Sequence, residues 1–287
     1  MYGPPSDEGE SFPEYAVVLG AGGIVGTAWT AGLASGLRRE GTDLGGADLI
    51  VGTSAGAIVG ALLAAGRDLE RLADPPPLLA EENPPPKPDP AGPASVLAVL
   101  ADPALDPETA RRRVGRLACD ADTGTEQAHI ARTGSLIAVR DWPARRLLIT
   151  AVDVDTGEPV VWSRTSGVPL PTAVAASTAM PGAYPPITIG GRRYMDGGIR
   201  SGTNADLGTG ADVLVVVDPF AHLFPRDHLE RELAAARARR VVTIEPDRDA
   251  VDVFGPDPLD GARRRPAYRA GERQAVEVAE WLRRAGW

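Results

Sequence analysis

Two early stretches of the chain carry almost no polar interruption. Residues 16–37, AVVLGAGGIVGTAWTAGLASGL, run 22 positions without a charge, and residues 49–66, LIVGTSAGAIVGALLAAG, run 18. Both reach the length of a membrane span. The first, however, holds six glycines, and the second places Gly-Thr-Ser-Ala-Gly where a span would carry leucine. The pattern predicts a short buried strand, a glycine turn and a buried helix, done twice. AVVL and DLIV are the strands; TAWTAGLASGLRRE and AGAIVGALLAAGRDLE are the helices. Helices that are apolar nearly all round belong between the layers of a core.

Further along, residues 107–133 read as helical and open with PETARRR. Residues 146–163 read as two strands joined by an Asp-Thr-Gly turn, and residues 187–195 as a hairpin around Gly190-Gly191. The Val-rich runs 211–218 and 240–246 are buried strands, and 228–240 and 270–287 are late helices. Strands alternate with helices, which predicts an α/β fold with a mostly parallel central sheet and helices on both faces. Residues 73–108 interrupt this rhythm with 11 of the 27 prolines. Proline at that density holds neither a helix nor a central strand, so the segment is an insertion, with a short helix at SVLAVL. Its apolar residues Leu78, Leu79, Val96, Leu97, Val99 and Leu100 suit a cover over a neighbouring pocket, the alternative being a disordered surface loop.

Composition narrows the function. The 287 residues suit one domain over 15–287, preceded by an acidic, Pro-rich tail over 1–14 that is expected to be disordered. A net charge of −9 excludes a basic field for nucleic acid and constant attachment to anionic lipid. Cys119 stands alone, and His129, His222 and His228 lack the spacing of a zinc motif, so neither a disulfide framework nor a metal site is expected. The acidic N-terminus is the opposite of a basic leader region, which makes the cytoplasm the expected compartment. Arg111-Arg112-Arg113 and Arg263-Arg264-Arg265 read as solvated faces.

Three places carry candidate chemistry. Gly52-Thr53-Ser54-Ala55-Gly56 follows a strand and opens a helix, the G-x-S-x-G context in which a sharp turn thrusts a serine hydroxyl out of the sheet. Read blandly, Ser54 is a helix cap between flexible glycines. Leu19-Gly20-Ala21-Gly22-Gly23-Ile24-Val25-Gly26 also lies between strand and helix, where successive backbone N–H groups can hold an anion. That anion is either a dinucleotide pyrophosphate or the oxyanion of an acyl transfer. The G-x-G-x-x-G register is imperfect, and Asp43 and Asp48 are badly placed for a ribose. The third place is Tyr194-Met195-Asp196-Gly197-Gly198, an acid at a strand end with two glycines after it.

In this order the three segments resemble the patatin-like phospholipase family. A fourth, Ala176-Ser177-Thr178-Ala179-Met180-Pro181-Gly182-Ala183-Tyr184-Pro185-Pro186, is similar to that family's Ser-x-x-x-Pro block. The resemblance covers roughly residues 15–65 and 145–220. It implies a patatin-like three-layer sandwich and a Ser-Asp dyad without histidine, with Ser54 the nucleophile and Asp196 its base. It also implies oxyanion-hole N–H groups from Gly22, Gly23 and Ile24, with Gly26, Gly52, Gly56, Gly197 and Gly198 as motif positions. The implied reaction is hydrolysis of lipid or other carboxylic esters through an acyl-enzyme, needing no metal or cofactor. The implied partners are an ester substrate and, at most, a transient membrane surface. Where the family carries Arg or Lys before the last glycine of its glycine block, this chain has Val25, so that block offers no cation to a charged head group. The alternatives are a Ser54-Asp196-His222 triad of the α/β-hydrolase order, a non-catalytic nucleotide-binding protein, and an interaction module.

Overall fold

The computed structural model describes residues 12–75 and 91–287. Most of the expected tail, and Leu78 and Leu79 of the insertion, therefore lie outside the described residues. Among these, eight strands form one sheet: β1 (Tyr15–Leu19), β2 (Leu49–Gly52), β3 (Arg146–Asp153), β4 (Pro159–Trp162), β5 (Ile187–Ile189), β6 (Arg192–Asp196), β7 (Val213–Val217) and β8 (Arg240–Ile244). Their order is β5-β6-β3-β2-β1-β7-β8, with β4 also on β3. β3, β2, β1, β7 and β8 are mutually parallel, whereas β4, β5 and β6 run antiparallel to their neighbours. The helices are α1 (Gly23–Arg39), α2 (Ala55–Ala64), α3 (Ala91–Leu100), α4 (Pro107–Asp120), α5 (Glu126–Ile137), α6 (Leu170–Ser177), α7 (Asp227–Ala236), α8 (Arg248–Phe254) and α9 (Arg264–Ala285).

The central strands are apolar throughout because both faces of the sheet are covered. Val17, Leu19, Ile50, Leu147, Ile149, Val215 and Val217 pack in one core with Trp29 and Leu33 of α1, Leu62 of α2 and Val278 of α9. Their neighbours Ala16, Val18, Leu49, Val51, Leu148, Leu214 and Val216 pack on the opposite face with Leu229, Leu233 and Ala236 of α7. A smaller cluster joins Val96 of α3 and Val114 of α4 to Val152, Met195 and Ile199, beside the end of β6. The fold class is the expected one: mostly parallel, with helices on both faces. No helix among the described residues is long and apolar enough to cross a membrane. Each charge-free stretch is a strand, a turn and a helix.

Some boundaries differ from expectation, for local reasons. The helix expected over 107–133 is two. α4 ends at Asp120; Gly124 then turns at φ +88°, and Thr125 caps α5 by accepting the Ala128 N–H at 3.2 Å. The last helix begins at Arg264 rather than 270, and the short α8, capped by Asp247, has no counterpart in the sequence reading.

One feature of the register places the site. Ile149 pairs with both Gly52 of β2 and Trp162 of β4, so these strands flank β3 on opposite sides. Ala151 pairs with both Val160 of β4 and Asp196 of β6, so β6 lies on the β2 side. β2 and β6 thus run along the same flank of β3 from opposite directions. Their C-terminal ends, Gly52 and Asp196, meet across Thr150.

Helices α1 and α9 lie backbone against backbone. A Cβ on Gly32 would sit 1.9 Å from the Tyr268 carbonyl oxygen, and one on Gly271 would sit 2.1 Å from that of Trp29. Neither contact can relax, because the obstacle is main chain. Overpacking of this kind costs about 3 kcal/mol or more. Gly32→Val is expected to lower the urea-unfolding free energy by at least that amount; an unchanged midpoint would show that the two helices do not approach so closely in solution.

Candidate active site

Ser54 sits between β2 and α2 with φ +54° and ψ −115°. A left-handed φ is costly for a residue with a Cβ and persists only where the surroundings impose it. Here they do. The Thr53 N–H donates to the Leu19 carbonyl at 3.0 Å and the Gly56 N–H to the Gly20 carbonyl at 3.0 Å, pulling the turn against the end of β1. A Cβ on Gly56 would lie 1.9 Å from the Leu19 oxygen, so only glycine permits this approach. Beneath the turn, Thr53 Oγ1 lies 2.9 Å from Thr150 Oγ1 and accepts the Asn204 side-chain amide at 3.0 Å. The same amide donates to the Ser201 carbonyl at 2.9 Å. This buried network ties the turn to β3 and to the loop that follows Asp196.

The meeting of β2 with β6 brings two predicted residues together. The Ser54 hydroxyl donates to Asp196 Oδ2 at 2.7 Å. The other carboxylate oxygen accepts the Gly198 N–H at 2.7 Å, which fixes the carboxylate plane. Asp196 is 3% exposed. Burial pushes its pKa up to about 7, with the Ser54 hydroxyl and the Gly198 N–H pulling it partly back. Gly197 packs against Thr150, where a Cβ would fall 2.2 Å from the threonine oxygen.

The glycine block curls over the same spot. The Ala21 N–H donates to the Gly202 carbonyl at 2.7 Å, and the Ala21 methyl lies 3.5 Å from the Cβ position of Gly198. Gly22 precedes the first turn of α1, and Gly23 adopts φ +59°. One expected donor is otherwise engaged: the Ile24 N–H donates to the Pro258 carbonyl at 2.8 Å, with the Val25 N–H 3.2 Å from the same oxygen. That carbonyl engages two N–H groups at the helix terminus where a pyrophosphate would sit, and of the three expected donors it leaves Gly22 and Gly23 as candidates. Gly26 and Gly22 both pack on Pro219.

His222 is not brought to the pair. It is exposed, its ring centroid lies 6.1 Å from that of Phe254, and it makes no hydrogen bond with Ser54 or Asp196. Two other residues shape the site that the sequence did not flag for this role. Ser177, at the end of α6, accepts the Ser54 N–H with its hydroxyl at 3.0 Å, and the Ala179 carbonyl accepts the Asp196 N–H at 3.0 Å. The segment after α6 therefore grips both partners. His129 of α5 holds that segment in turn, with Nε2 3.1 Å from both the Ala175 carbonyl and Thr178 Oγ1. Its Nδ1 accepts from Arg132 at 2.9 Å, which makes Nε2 the protonated nitrogen. Burial first, and the Arg132 charge second, push the His129 pKa down to about 3, so it is a neutral anchor. Such contacts between distant segments leave no local periodicity to read. Among the described residues, no group of three or more His, Cys, Asp and Glu side chains could hold a metal ion.

A sequence model of patatin-like phospholipases matches residues 17–208. The chain belongs to the patatin-like phospholipase family. It is 34% identical over 208 residues to uncharacterized NTE family proteins of Mycobacterium tuberculosis and Mycobacterium bovis. The alignment takes in 69% of this chain and 49% of theirs, so the match spans about half the length of those relatives. Among solved structures, VipD from Legionella pneumophila aligns with a TM-score of 0.46 and 12% identity, over 94% of this chain and 67% of that one. The type III effector ExoU aligns with a TM-score of 0.37 and 18% identity, over 93% of this chain and 53% of that one.

The Asp196 carboxyl has a stability signature. The folded chain keeps its proton up to about pH 7, whereas an unfolded aspartate loses it near pH 4. Between those values the folded state binds the extra proton, so this group's contribution to stability falls as pH rises through the window. Asp196→Asn lacks the slope. The variant is expected to gain on the wild type in urea-unfolding free energy between pH 5 and pH 8. Taking the difference cancels other groups such as Asp218, which burial raises to about 6. Parallel pH profiles for the two proteins would refute a titrating Asp196.

Proposed function

We propose that the protein is a serine acyl hydrolase that cleaves carboxylic esters of lipids through an acyl-enzyme on Ser54, with Asp196 as the base. The supporting observation is the 2.7 Å hydrogen bond from a serine on a left-handed turn to a buried carboxylate. A serine hydroxyl needs an adjacent base to act at neutral pH. A carboxylate whose pKa lies near 7 is matched to that task in a way an exposed aspartate is not.

In the first half-reaction, Ser54 Oγ attacks the ester carbonyl while Asp196 Oδ2 takes the hydroxyl proton. The Gly22 and Gly23 N–H groups stabilise the tetrahedral oxyanion at the positive end of α1. Collapse breaks the bond to the alcohol, which leaves with the proton from Asp196. A water then attacks the acyl-enzyme, Asp196 accepts its proton, and that proton returns to Ser54 as the fatty acid departs. Ser177 acts through Ser54, holding its backbone N–H so that the hydroxyl keeps facing Asp196.

Two measurements test the reading. A fluorophosphonate ester probe is expected to label the wild type at Ser54 and to leave Ser54→Ala unlabelled, with the variant below a few per cent of wild-type turnover on p-nitrophenyl esters. Asp196→Asn is expected to lose roughly 10²–10⁴-fold in kcat, and the double variant to be no worse, because residues acting as a unit are not additive. Activity of the wild type is expected to rise with pH through about 7, since only the carboxylate form accepts a proton. Substantial turnover by Asp196→Asn together with loss in His222→Ala would instead assign the base to the histidine.

A further inference from the structure

The amphipathic pattern of α7 is broken at one position. Leu229, Leu233 and Ala236 form the stripe that packs on the sheet, and the remaining place in that helical series is Glu232. Its side chain is 6% exposed, so an acid is buried where a leucine would suit the core. A buried carboxyl is costly unless its oxygens are bonded. One of them, Oε1, has no hydrogen-bond partner among the described residues; Arg200 Nη1 lies 3.9 Å away and His228 Nδ1 3.6 Å. The other, Oε2, accepts the Thr203 hydroxyl at 2.6 Å and the Ala205 N–H at 2.9 Å.

These two donors bracket Asn204. That residue is fully buried with a left-handed backbone, φ +57°, a conformation that persists only where the neighbours impose it. Ser201 Oγ accepts the N–H groups of Thr203 at 3.1 Å and of Asn204 at 3.0 Å, and Glu232 holds the residues before and after. Arg200 Nη1 donates to Asn204 Oδ1 at 2.7 Å, which leaves Nδ2 turned toward the site. Nδ2 donates to Thr53 Oγ1, next to Ser54, and lies 3.5 Å from the Gly197 carbonyl oxygen, next to Asp196. One amide therefore spans the turn that carries the nucleophile and the turn that follows the base.

We propose that Glu232 is a positioning residue for the Ser54-Asp196 pair, clamping the chain on both sides of Asn204 so that its amide holds the two turns together. The assignment deepens the hydrolase reading and rests on it. Glu232 lies outside residues 17–208, so the segment shared with the family does not include this clamp. The serine-carboxylate contact it serves tolerates little error, since a displacement of about 1 Å can cost on the order of 10²-fold in rate.

The test compares Glu232→Ala, Glu232→Gln and Thr203→Val with the wild type on a p-nitrophenyl ester, with turnover expressed per Ser54 labelled at completion by a fluorophosphonate. Glu232→Ala is expected to lower kcat roughly 10–10²-fold with KM within about twofold, and to slow the labelling in parallel. Glu232→Gln, whose amide oxygen can accept both donors, is expected to stay within about threefold of the wild type. Thr203→Val removes one of the two bonds and should fall between them; combined with Glu232→Ala it should add nothing, because both break the same clamp. An unchanged kcat in Glu232→Ala would overturn the proposal. So would a loss that vanishes once turnover is expressed per labelled serine, which would leave Glu232 a role in stability alone. Equal losses in the Gln and Ala variants would also overturn it, by assigning the effect to the charge beside Arg200 and His228. If Glu232→Ala does not fold, Thr203→Val decides: a fall in kcat of at least about threefold at unchanged KM supports the clamp, and an unchanged kcat overturns it. If the wild type neither labels nor turns over, the hydrolase reading fails separately. Hydrogen exchange still decides the clamp in that case, with peptides spanning 52–56 and 197–206 expected to lose protection in Glu232→Ala and to keep it in Glu232→Gln. Equal protection in all three proteins would overturn it.

Discussion

The site depends on a constraint of sheet geometry: one flank of β3 is shared by two strands that approach from opposite ends. β2 delivers a sharp turn and a helix, and β6 delivers an acid. Because they meet across Thr150, the serine of the first and the carboxylate of the second are forced within hydrogen-bond distance. The core on both faces holds those strands rigidly, so the contact requires no induced rearrangement. A site mounted on strand ends is more exact than one carried on loops.

The same geometry sets the electrostatics. A strand end capped by Gly197 and Gly198 leaves the Asp196 carboxylate dry, with one N–H and one hydroxyl as its hydrogen-bond donors. Two donors are enough to orient a carboxylate but not to compensate for lost water. Its proton affinity therefore rises to the range where it can exchange a proton at neutral pH. The network of Thr53, Thr150 and Asn204 below, and the grip of Ser177 above, keep the strained Ser54 backbone from relaxing. The strain and the buried charge are stability costs concentrated at one point, which the large two-faced core offsets.

The elements surrounding this point come from four separated parts of the chain. The glycine block packs beside Gly198, the loop before α9 engages the start of α1 through Pro258, and α5 braces the segment after α6 through His129. Ile24 shows why a motif alone overstates its donors. The motif marks a stretch of available N–H groups, but a distant carbonyl decides which of them stay free.

By itself the sequence determined what local physics controls. Charge-free runs broken by glycine specified strand, turn and helix. Val-rich strands with no polar alternation specified a sheet covered on both faces, and G-x-S-x-G between a strand and a helix specified a serine on a sharp turn out of the sheet. Asp196 was legible as a strand-end acid, and its link to Ser54 only through the resemblance to the patatin-like family. The break at Gly124, the early start of α9 and the short α8 were less legible, since each depends on a cap or on packing against a neighbour. Only the tertiary structure decided that Ser54 and Asp196 share a hydrogen bond, that Ile24 is already engaged, that His129 is a neutral brace, and that Arg264 is partly buried rather than a solvated charge. These are pairings between residues tens to hundreds of positions apart. Hydrophobic period and turn chemistry act over a few residues, so information about such contacts exists only once the sheet register has brought the segments together.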